Sequence, residues 1–433
     1  MILDVLGHGL GSRGDLPIPL WQFTWAATAA LVISFVSLGA SWRQPKLTFH
    51  ETGRTLPNLS RIAKTSEPLI RILSMGLFFL VLVTGLFGTN NSDQNLNPVT
   101  LYVIFWVILQ ILTCFLGDIW KVLSPFDTIA QFLERRNLTN SYAIPTWSHW
   151  FAPIGAFSFL FFELIHPSGD SPFFLALGML VYSTCLITGS ILWGRDWLQV
   201  GDTFAVHFRL LAQMAPLHIS HKSIRFRIPL SGLSSSRFSS PEVATLLVVL
   251  GGVTFDGFGE SEMWRDLVGR KTGWANAAIR LFGLIDSIAV IALLFLISVK
   301  FMANLTDQKP RLLAKIFAPS LVPIVFGYTL AHYLQLAIDE SQTFFFQLSD
   351  PFGKGWDLFG ASGSRINFNL ANATVIAWVQ AIGVVSGHIA GVIVAHDRAV
   401  SSFSEKDAVR SQYVMFLVMV VYSVLGLWLL LNA

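Results

Sequence analysis

Apolar residues in this chain run in long blocks rather than alternating with polar ones. Ten such stretches lie at about 20–42, 71–88, 98–120, 146–166, 172–193, 241–257, 275–303, 312–338, 371–396 and 411–432. Most reach the roughly 20 residues that a helix needs to cross a hydrocarbon layer of about 30 Å. Only helices and closed barrels satisfy every backbone amide in lipid, and blocks of this length favour helices. The pattern predicts an all-α, polytopic membrane helix bundle of about ten transmembrane helices. The sixth stretch is the weakest, because its apolar run from Val243 to Phe255 is short and carries the Gly251-Gly252 pair.

Charge orients the spans. If both termini lie outside, the outer side holds Arg13, Arg265, Arg270, Lys271, Arg280, Lys354 and Arg365, and every other basic residue falls inside. This is the usual cytoplasmic excess of Lys and Arg. Omitting the sixth span would invert every later loop and destroy the asymmetry, so it is retained. Most tryptophans fall at span ends, where amphipathic indoles prefer to sit. With 53% hydrophobic residues, 13% charged residues and 36 Phe, the chain is too apolar for a soluble enzyme of similar length. The lipid bilayer is the predicted partner. The net charge of +3 follows from the positive-inside bias and calls for no nucleic acid. Cys114 and Cys185 both lie within spans and offer neither a disulfide framework nor a metal cluster. The N-terminus shows no basic region, apolar core and small-residue cleavage site in series, so the first span reads as retained.

The chain reads as one transmembrane domain, 1–433. Inside, 195–240 forms the largest cytoplasmic connector, with a basic run from Lys222 to Arg227 and serines from Ser231 to Ser240. Its opening part, Thr203–Met214, reads either as a helix lying on the membrane surface or as a solvated link. Outside, 258–274 and 339–370 are long enough to form a cap, the second containing Gly353, Gly355, Gly360 and Gly363.

Candidate chemistry gathers on the outer side. Asp-x-Phe-Gly occurs three times, at Asp256–Gly259, Asp350–Gly353 and Asp357–Gly360. Asp accepts from backbone amides two residues on and Gly supplies positive φ, so each copy predicts a tight turn. Three outward carboxylates also supply ligands for a hard divalent metal, or for a zinc-type ion if His332 joins Asp256, Asp350 and Asp357. In the eighth span Tyr328, His332, Gln335 and Asp339 fall on one helical stripe that should face protein or a water-filled cavity. Glu163 and His166 end the fourth span. Asp286 lies about 16 Å into the seventh, where a carboxylate needs a partner such as His332 or Arg280. His388 and His396 on the ninth span are eight residues apart, which is too far for one metal, and His388 has no second histidine at matching depth to hold haem. No phosphate-binding loop, serine-hydrolase elbow or zinc-protease helix motif occurs.

Four segments carry a resemblance. They are His8–Pro19, which contains Gly11-Ser12-Arg13-Gly14-Asp15-Leu16-Pro17; Leu116-Gly117-Asp118-Ile119-Trp120 followed by Leu123-Ser124-Pro125-Phe126; the Asp350–Gly360 loop; and the stretch from Gly387-His388 to His396-Asp397-Arg398. Over nearly its whole length the chain resembles a family of bacterial multi-pass membrane proteins known as fenitrothion hydrolase-like. That resemblance implies a place in the inner membrane and hydrolysis of an organophosphate triester, and it carries over no catalytic residue. The H-x-H pattern of several soluble metal-dependent phosphotriester hydrolases is missing.

Three functions fit these observations. A hydrolase would use a metal held by some of Asp256, Asp350, Asp357, Asp339 and His332 to activate water. An ion or small-solute transporter would line its path with Asp286, His332 and Glu163, and interrupt the sixth span at its glycines. A membrane subunit of a larger complex would dock through the outer cap.

Overall fold

The computed structural model describes residues 20–47, 53–140, 142–220, 223–361 and 364–432. The Gly11–Pro17 motif lies outside them, as do Gly363 and Lys222. The helices are α1 (Leu20–Ser41), α2 (Pro57–Phe87), α3 (Leu96–Leu116), α4 (Pro125–Arg135), α5 (Phe151–Leu164), α6 (Pro172–Trp193) and α7 (Thr203–Ala212). They continue with α8 (Ser240–Gly259), α9 (Glu262–Val268), α10 (Gly273–Thr306), α11 (Pro310–Ser349), α12 (Ala373–Ser402) and α13 (Tyr413–Asn432). Among the described residues nine helices are long and apolar enough to cross a membrane. The architecture is an all-α bundle of the multi-pass membrane type. A small antiparallel sheet, β1 (Arg54–Thr55), β2 (Leu217–Ser220) and β3 (Ser223–Phe226) in the order β1-β3-β2, joins two loops at the end that the charge bias assigns to the inside.

The missing tenth is α5. Its 14 helical residues span only about 21 Å. The 3₁₀ turn Thr146–Trp150 precedes it and, at about 2 Å per residue, brings the rod to roughly 31 Å. The expected stretch 146–166 is therefore a composite of two helical pieces rather than one regular helix, and it is not among the nine.

Glycines set how closely the helices approach. The Gly251-Gly252 pair does not interrupt α8, which runs unbroken from Ser240 to Gly259 behind a Ser239/Glu242 capping box. A Cβ on Gly251 would stand 2.6 Å from Ile288 Cα on α10, and one on Gly252 would stand 2.4 Å from Leu160 on α5. The pair clamps α8 between its two neighbours, as small residues do where membrane helices touch. Likewise a Cβ on Gly327 of α11 would lie 2.6 Å from the Gly383 carbonyl of α12.

The 195–240 connector departs from both expectations. Helix α7 neither floats on the surface nor stands in solvent. It is buried against α3 and α5, with Phe208 and Leu211 fully enclosed and His207 Nε2 3.0 Å from Gln110 Oε1. Arg227 from the basic run folds back under it and donates to the carbonyls of Ala212, Gln213 and Ala215. A cation at these free carbonyls completes the helix C-terminus, which is why that charge is buried. At the opposite end, α11 continues as helix to Ser349, so the long outer loop begins at Asp350 rather than at 339.

Candidate functional site

Helices α5, α8, α10 and α11 meet near the end of the bundle that the charge bias assigns to the outside. Asp256 sits in the last turn of α8, not in a turn beyond it, because Gly257 and Phe258 keep helical geometry to Gly259. Its Oδ2 lies 2.8 Å from His332 Nε2 and 2.7 Å from the Tyr333 hydroxyl, both on α11. The same hydroxyl is 3.3 Å from Oε1 of Glu163 on α5. All four side chains are buried, and Glu163 Oε2 has no hydrogen-bond partner among the described residues. The phenol thus links Asp256 to Glu163, and Asp256 in turn links to His332, so three helices share one polar chain.

Arg280 of α10 closes the outer flank. Its Nε donates to the Leu164 carbonyl at 2.7 Å, and its Nη2 lies 3.7 Å from Glu260. Burial raises the Glu260 carboxyl above its ordinary range, and the nearby Asp256 charge adds to this while Arg280 opposes it. Trp264 of α9 packs edge-on to Phe255, so the short cap helix roofs the cluster.

Beside His332 lies a cavity of ≈ 10 Å³ lined by Gly257, Tyr328, Ala331, Val384 and Gly426. Two of these wall residues are glycines. A Cβ on Gly426 would sit 2.7 Å from the Tyr328 ring, and one on Gly257 would face Tyr328 Oη at 3.6 Å and His332 Nδ1 at 3.8 Å. The space is that of about one water molecule. Behind it the polar seam continues. Tyr422 hydrogen-bonds Thr254, its ring packs 5.8 Å from His388, and His388 Nδ1 lies 2.9 Å from the Val384 carbonyl.

The remaining expected residues go elsewhere. Asp350 caps α11 and accepts from the amides of Lys354 and Gly355 at 2.9 and 2.6 Å. Asp357 lies 3.3 Å from Ser349 Oγ. Both carboxylates bond within their own loop. Asp339 is buried seven residues along α11 from His332, about 10 Å further up the axis. Among the described residues no group of three or more His, Cys, Asp or Glu is arranged to hold a metal ion. Asp286 is not paired inside the bundle either: it is exposed on the outer face of α10.

Tyr333 is the member that sequence reasoning missed. Its only signal was adjacency to His332, and a tyrosine inside a membrane helix usually reads as packing. A larger cavity, ≈ 480 Å³, lies at the inner end between α2, α4 and the segment after α6. Its central ions are already engaged: Asp127 receives Arg71 at 2.9 Å and Arg195 through two nitrogens at 2.6 and 2.7 Å. Comparison with protein-family models, with curated proteins and with solved structures found no match to this chain.

Proposed function

We propose that this protein is a multi-pass transporter of the bacterial inner membrane whose Asp256–His332 pair binds and releases a proton as part of moving an ion or small solute. The observation that carries the reading is the linked cluster Glu163–Tyr333–Asp256–His332, buried inside a bundle of apolar helices. Ionisable groups buried between membrane helices are costly and mark ion pathways or proton relays. Here His332 Nε2 lies within hydrogen-bond distance of Asp256, Nδ1 borders the water-sized recess, and Tyr333 extends the chain to Glu163. A proton passes along such a chain by exchange across these hydrogen bonds, with the imidazole turning its free nitrogen to the recess.

The size of the recess supports this reading. Small-molecule pockets occupy roughly 300 Å³ or more. A space of ≈ 10 Å³ admits water and protons but no organophosphate triester. The hydrolysis implied by the family resemblance would require this region to open by more than an order of magnitude.

Reconstitution into liposomes loaded with a pH-sensitive dye tests the proposal under an imposed membrane potential. Wild-type protein is expected to acidify or alkalinise the lumen. Asp256→Asn and His332→Gln are each expected to slow that flux at least tenfold while the protein still elutes as a folded species. Equal flux in wild type and both variants would overturn the reading.

A further inference from the structure

Asp286 stands alone on the outside of the bundle. It lies on α10 six residues beyond Arg280, or about 9 Å deeper, and fourteen before Lys300, about 21 Å from it. The exposed residues around it on the helix are Phe282, Ile285, Val290, Leu293 and Leu296, with Phe282 73% and Leu293 58% exposed. This is the face α10 turns to lipid. Its other side is taken by α8, with Ser287 donating to the Gly251 carbonyl at 2.8 Å. Among the described residues Asp286 has no hydrogen-bond or ion-pair partner.

Such a placement is expensive. Carboxyls within membrane spans almost always face the bundle interior or pair with another polar group. Neither condition is met, and snorkelling cannot help, because the Asp side chain is too short to reach an interface several ångströms away. A cation supplied from outside the chain resolves the cost.

A second copy is a poor source. The cations that this chain places well inside its spans are already engaged, Arg71 by Glu67 and Asp127 and Arg280 by Glu260. The others described in spans lie near helix ends, as Lys300, Arg311 and Arg398 do. A symmetric contact through this face of α10 would set Asp286 against Asp286, which opposes association. We propose that the face of α10 around Asp286 receives a membrane-spanning helix of a different protein, bearing Lys or Arg at the depth of this carboxyl. The apolar neighbours supply packing and the ion pair supplies register, as interhelical polar contacts do in lipid.

The test places a benzophenone amino acid at Ile285 and, separately, at Ala289, irradiates intact native membranes and maps the cross-linked peptides. The expected product joins α10 to a span of another membrane protein with Lys or Arg within one turn of the linkage. Asp286→Lys and the shape-conserving Asp286→Asn should each cut the yield at least tenfold with the melting temperature of the isolated protein unchanged. Replacing the identified cation by Asp should restore the yield in the Asp286→Lys background. Cross-links confined to lipid, to a second copy of this chain or to a span without a cation would overturn the proposal, as would a yield indifferent to Asp286.

Discussion

Asp256-Gly257-Phe258-Gly259 and Asp350-Pro351-Phe352-Gly353 spell nearly the same tetrapeptide at the same end of the bundle, yet they do opposite work. In the first the backbone stays helical and the carboxylate turns inward to His332 and Tyr333. In the second the helix has just ended, Gly353 takes φ +65°, and the carboxylate accepts two amides of its own loop. Phe352 then anchors that loop, its carbonyl accepting from the Thr89 amide at 3.2 Å. A side-chain oxygen is used locally when nearby amides are free and distantly when the helix has already consumed them. Four residues do not carry that information; the state of the preceding helix does.

Substitutions can break this contrast, starting with the inward carboxylate. Asp256→Ala strands the His332 imidazole and the Tyr333 hydroxyl in a buried site, and removal of one member of a buried pair typically costs about 3–5 kcal/mol. The expected outcome is a large fall in melting temperature in detergent, followed by tryptophan fluorescence. A variant as stable as wild type would show the cluster to be dispensable for the fold.

Exchanging the second positions of the two motifs comes next. Gly257→Pro introduces a ring and removes an amide inside the last turn of α8, a change worth about 3 kcal/mol in a helix interior. It should also fill the recess beside His332 and abolish proton flux. The reciprocal Pro351→Gly acts mainly through the unfolded chain and should cost only about 0.4–1 kcal/mol with flux intact. Equal effects from the two exchanges would mean that the backbone states are not as different as described.

The smallest effect belongs to the loop carboxylate. Asp350→Ala leaves two exposed amides to water, a loss of about 0.5–2 kcal/mol by analogy with helix caps. Liposome flux should match wild type within twofold. A tenfold loss would place Asp350 in the transport path after all.

Much of the architecture was readable in advance because lipid imposes a coarse rule on composition. Apolar blocks near 20 residues became helices, and the sixth stretch, kept only for its effect on charge, proved to be the helix that carries Asp256. The polar stripe on α11 was equally legible, since the 3.6-residue period brings Tyr328, His332 and Asp339 to the protein side. What periodicity could not reveal was rotation. Asp286 was expected inside and faces out, while α7 was expected at the surface or in solvent and is enclosed. In a helix that is apolar all round, nothing local distinguishes the side facing lipid from the side facing its neighbours.

The sequence by itself determined which segments form long apolar helices, because hydrocarbon penalises every unsatisfied amide and every charge in proportion to depth. Only the tertiary structure decided which of their residues meet. Gly251 and Gly252 seat α8 against α10 and α5, and a separate contact of α8 with α11 brings Asp256 within 2.8 Å of a histidine 76 positions away in the chain. A hydrogen bond forms or fails within a few tenths of an ångström, and that precision comes from packing between helices rather than from any pattern along one.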